Sequence, residues 1–92
     1  MHLEIVTPEA LLVKGEVTSV TVPGVNGEFQ MLNNHAAVVS LLMEGKVKFA
    51  GSPEITEGFE DKFVKESEGI WSLAITSGTL EMNNNKVIVL AD

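Results

Sequence analysis

Ninety-two residues make one domain, and a chain this short buries only about 60 to 65% of the surface its unfolded form exposes. Its composition is 45% hydrophobic with 8 glycines, rich enough for so small a domain that some apolar surface is expected to await a partner. A net charge of −7, built from six lysines, no arginine and thirteen carboxylates, argues against nucleic acid, and the lack of cysteine excludes disulfides, thiolate metal sites and cysteine nucleophiles.

In chain order, residues 3–6 open a strand that Thr7-Pro8 ends, because proline gives no donor to a ladder. From Glu16 to Val22, Val20 and Val22 face one way and Ser19 and Thr21 the other, until Pro23-Gly24 stops the run. Gly24-Val25-Asn26-Gly27 reads as a tight reversal, with both glycines and Asn26 able to take positive φ. A short alternating strand follows, then a polar tip at Asn33-Asn34-His35. Residues 36–43 fit a short helix by pattern, but paired valines and the Glu44-Gly45 turn favour a strand buried on both faces. Lys46 to Phe49 alternates, lysines toward water and Val47 and Phe49 toward a core.

Residues 51–68 form an acidic excursion, solvated, with a short strand or helical turn near Phe59 to Val64. Ile70 to Thr76 and Lys86 to Leu90 are nearly continuous apolar runs. Asn83-Asn84-Asn85 is a tip that accepts positive φ, so residues 79–82 and 86–90 should form a hairpin. Eight to ten short strands at this spacing predict a β-sandwich or small barrel. No apolar run reaches the roughly 18 residues of a membrane helix, and Met1-His2-Leu3-Glu4 lacks the basic start of a secretory signal, so the chain reads as soluble and intracellular.

Chemistry is sparse along the chain. His2 and His35 stand far apart without acidic neighbours at ligand spacing, Ser77 has no nucleophile elbow, and Gly24 to Gly27 lacks the remainder of a phosphate loop. Glu28 and Glu44 are explained by surface solvation. No metal, cofactor or catalytic residue is expected. What remains are two tips on a rigid sheet, at Glu28 and at Asn33-Asn34-His35, placed where loops commonly carry recognition.

The ordered series Gly27-Glu28-Phe29, Asn33-Asn34-His35-Ala36, Glu44-Gly45-Lys46-Val47-Lys48, Ser77-Gly78-Thr79-Leu80-Glu81-Met82 and Val87-Ile88-Val89-Leu90-Ala91-Asp92 resembles the epsilon subunit of bacterial F-type ATP synthases. So does the opening His2 to Thr7 with Gly15. The resemblance implies an all-β fold, a ten-stranded β-sandwich of two five-stranded sheets over residues 1–92. It implies a non-catalytic rotor subunit that joins the gamma subunit to the c-ring while proton transport drives ATP synthesis, on the cytoplasmic face of a bacterial membrane. By position, Glu28, Asn33, Asn34 and His35 match contacts to the c-ring, and Leu12, Val13, Ala36, Val39 and Ser40 match a face turned to gamma. The family's proline-glycine before the histidine is Asn33-Asn34 here. The sequence stops where many homologues continue into two helices, so neither helical inhibition nor nucleotide binding is expected of residues 1–92. A free-standing adaptor or carbohydrate-binding module is the alternative, weakened by a single tryptophan and no tyrosine.

Overall fold

The computed structural model describes residues 1–92 as ten strands and one 3-10 turn. They are β1 (His2–Val6), β2 (Leu11–Gly24), β3 (Gly27–Leu32), β4 (Val38–Leu42), β5 (Gly45–Gly51), β6 (Glu54–Ile55), β7 (Phe63–Ser67), β8 (Ile70–Ile75), β9 (Gly78–Asn83) and β10 (Lys86–Ala91). The 14-residue β2 is the spine, bonding antiparallel to β1 and β6 along its first half and to β3 and β5 along its second. Strands β1, β10, β9 and β4 follow in that order on one side, and β5, β8 and β7 on the other. Hydrogen bonds thus join all ten strands through β2 in one network, and do not draw two separate five-stranded sheets.

Period-two patterning builds the core. Leu3 and Ile5 of β1, Val20 and Val22 of β2, Val47 and Phe49 of β5, Leu80 and Met82 of β9, and Val87 and Val89 of β10 alternate with exposed or half-buried residues. They meet in one cluster of 20 buried apolar side chains. At roughly 25 cal/mol per Å² of apolar surface removed from water, that cluster is the main stabilising term of a chain without disulfides.

Four local expectations change. β2 begins earlier than Glu16, and it runs on through Pro23, which pairs with Glu28 while its carbonyl accepts a hydrogen bond from the Met43 amide. In the reversal, Gly27 takes the positive φ, +113°; Gly24 is needed for space, because a Cβ there would lie 2.8 Å from the Phe29 ring. β4 is a strand but is not buried on both faces: Val39 is 78% exposed and Leu41 64%. The acidic excursion is partly built into the sheet. It adds β6 and β7, and Phe63 is buried edge-on against Phe49 with centroids 6.0 Å apart.

Candidate functional site

The two tips stand at opposite ends of β3. Glu28 is its second residue and Asn33 follows its last, a span of about 17 Å for an extended chain. They therefore cannot act as one contact cluster. The first end carries the Val25-Asn26 loop, closed by the Gly24 and Gly27 pair, and beside it Met43, tied to Pro23. Val25 and Met43 are each 53% exposed. Glu28 points to solvent with its carboxylate 3.8 Å from the Lys48 ammonium, an exposed pairing worth little in itself.

The second end is internally bonded. Asn34 lies at φ 64°, a left-handed position asparagine tolerates, and its amide donates 2.8 Å to the Asn85 side-chain oxygen on the β9–β10 turn. Asn84 and Asn85 both have positive φ, the geometry of the two-residue hairpin turn foreseen for this tip. The Asn33 side-chain oxygen accepts from the Met1 ammonium, and His35 Nδ1 lies 2.7 Å from the Ala36 carbonyl oxygen. Asn34 is thus braced against the β9–β10 turn and Asn33 against the start of β1, work that asparagine suits through its φ tolerance and short acceptor.

Of the five residues expected on the gamma-facing side, Leu12 and Val13 do not qualify. They are 1% and 0% exposed, because the β1–β2 register shift leaves Leu12 without a partner between Leu11 and Val13 and lets two successive residues face the core. Ala36 and Ser40 lie on and just before β4, the former exposed and the latter half-buried. β4 pairs fully with β9, but its other edge meets β2 only at Leu42.

Val39 opens onto the most distinctive surface of the molecule, which sequence reasoning did not assemble. On the outer face of β4, β9 and β10, register places Val39 opposite Glu81, Leu41 opposite Thr79, Glu81 opposite Ile88 and Thr79 opposite Leu90. Leu41 and Leu90 are 64% and 51% exposed, and a shallow depression runs between these side chains. The missed signal was Leu41 and Leu90 sharing phase with Val39 once strand pairing is known. No group of His, Cys, Asp and Glu is arranged to hold a metal ion.

An all-β fold with an exposed apolar sheet face flanked by loop tips places the chain among β-sandwich domains. The chain belongs to the family of the ATP synthase delta/epsilon chain β-sandwich domain, whose sequence model matches residues 1–92. Similar curated proteins are the ATP synthase epsilon chains of Campylobacter concisus, 38% identical over 92 residues, and Chlorobium limicola, 36% identical over 90. All of this chain aligns with 60% of the first, and 98% of it with 86% of the second. The chain thus spans less than two thirds of the Campylobacter relative. Among solved structures, a chain in the cryo-EM structure of the Tetrahymena thermophila mitochondrial ATP synthase central stalk/c-ring superposes with TM-score 0.67. At 16% identity, over 99% of this chain and 62% of that one, the likeness shows the fold. These relatives carry the name ATP synthase epsilon chain.

Proposed function

We propose that this chain is a non-catalytic rotor subunit in the central stalk of a proton-translocating F-type ATP synthase, linking the gamma subunit to the c-ring during ATP synthesis. It would sit at the membrane through that complex, on the cytoplasmic side of a bacterial cell. The observation that carries the reading is the outer face of β4, β9 and β10. A free-standing domain of this size gains nothing by holding Val39, Leu41 and Leu90 in water, whereas a subunit buried against gamma does.

On this reading Val39, with Ala36 and Ser40 beside the open edge of β4, meets gamma. Glu28 and the Val25-Asn26 loop, at the other end of β3 from Asn33, present a carboxylate and a backbone turn to polar loops of the c-ring. Charge at such a rim contact sets register more than affinity. His35 and the exposed Asn34 side chain are left as secondary contacts, since the Asn33 side-chain oxygen is engaged by the Met1 ammonium while Asn34 gives only its backbone amide to Asn85.

Co-expression with the gamma subunit of the same organism, followed by size-exclusion chromatography, is expected to give a 1:1 complex. Two separate peaks at micromolar concentration would overturn the reading.

A further inference from the structure

The β4–β9–β10 face carries two exposed charges among its apolar side chains, Glu81 and, at its β10 margin in phase with Ile88 and Leu90, Lys86. Glu81 lies on the central strand β9, with Val39 across from it on β4 and Ile88 across from it on β10. It is exposed and makes no ion pair. Five of the six lysines do pair, each with a glutamate. Lys86, on the neighbouring strand, is turned to Glu4 at 3.6 Å. Nothing within the fold therefore uses Glu81.

A carboxylate in the middle of a docking face has two fates. If the partner covers it with apolar surface, a charge loses its water without compensation, which weakens the complex. If the partner places a lysine or arginine over it, the two groups exchange water for each other inside an apolar surround that excludes solvent and strengthens the attraction. The second offsets the lost hydration most strongly, because a hydrogen bond with both partners charged is stronger than one to a neutral donor. The net charge of −7 acts in the same direction at long range, favouring a partner with a basic patch.

We infer that Glu81 is the specificity-determining residue of this face, and that the gamma-subunit surface docked there is apolar with one lysine or arginine seated over the Glu81 carboxylate. This rests on the central-stalk reading and adds to it the chemistry of the contact.

The test uses the purified full chain and the gamma subunit of the same organism, with binding followed by calorimetry at low and at high salt. Three variants are compared with the parent: Glu81→Gln, Glu81→Lys and Leu90→Asp. Both positions are exposed, and circular dichroism confirms that each variant is folded. The expected result is binding weakened about 10-fold by Glu81→Gln and at least 100-fold by Glu81→Lys, in the range of a covered charge pair. The Gln variant should also show a shallower salt dependence than the parent, by the one charge removed. Leu90→Asp should weaken binding at every salt concentration. If the parent binds gamma and Glu81→Gln binds equally well at both salt levels, the inference is overturned while the stalk reading stands. If the parent does not bind gamma at all, the stalk reading itself is lost. Loss of binding in Glu81→Gln with an unchanged salt slope also counts against a charge pair, because it assigns Glu81 a neutral contact.

Discussion

Ser72 is the one polar residue among the buried side chains of the core, and it is satisfied by reaching outward. Its hydroxyl donates 2.6 Å to a Glu66 carboxylate oxygen on β7, and Lys46 donates to the same oxygen from β5 at 3.1 Å. The Ser72 hydrogen bond first, and then Lys46, hold the Glu66 carboxyl below the usual glutamate range. The folded pKa is the lowered one, so the contribution to stability is present above the ordinary value of about 4.5 and is lost as pH falls through the folded value. Ser72→Ala is expected to return Glu66 toward the ordinary range and to erase that part of the acid sensitivity. Carboxyl carbon shifts followed by NMR from pH 7 downward would show it; an unmoved Glu66 titration would sink the account. Such pairings were not legible in the sequence, because Ser72 and Glu66 sit within apolar or acidic runs and only the β7–β8 register brings them together. Asn34 and Asn85 are alike in this. Each announced a turn by residue type, but the hydrogen bond between them crosses 51 positions.

Strands were legible wherever alternation was strict and both neighbours were polar. Val20 and Val22, Val47 and Phe49, and the hairpin around Asn84-Asn85 all stand where period two and turn chemistry place them. The pattern misled where an apolar residue faces out. In β4 the outward Val39 and Leu41 made an alternating strand read as one buried on both faces, since sequence cannot separate an apolar core position from one kept for a partner. In β2 the phase of Leu12 and Val13 depends on a register shift against β1, which needs the structure. β7 was legible only in part, as a short strand or helical turn near Phe59 to Val64, for the opposite reason: it buries only Phe63 and otherwise looks solvated. That residue ties the acidic excursion to the core through Phe49, so the segment is part of the fold. Phe63→Ala is expected to cost about 3 kcal/mol, a large share of a small domain's stability. Urea unfolding should show a lowered midpoint with an unchanged slope. A loss under about 1 kcal/mol would mean that β7 only rests on the sheet.

At the scale of the whole molecule, the outer face that suits a foreign partner must also refuse a second copy of itself. Two copies meeting through this face would do so about a two-fold axis, each presenting the same patch. Glu81, in the middle strand of the three, would then come against its own counterpart, and two chains of net charge −7 would add their mutual repulsion. Like charges brought together in an apolar contact cost several kcal/mol, enough to cancel what Val39, Leu41 and Leu90 gain by leaving water. One side chain then serves both ends: attraction toward a basic partner and repulsion between copies. The parent chain is accordingly expected to sediment as a monomer in low salt at micromolar concentration. Glu81→Leu, which removes the repulsion and completes the apolar face, is expected to self-associate in the same buffer. Its association should strengthen as added salt screens the remaining charge, whose reach falls from about 10 Å at 0.1 M to about 3 Å at 1 M. Analytical ultracentrifugation separates the cases. A monomeric Glu81→Leu variant at high salt would mean that the face is too small to hold any partner by apolar contact, and that the open edge of β4 must carry the docking instead.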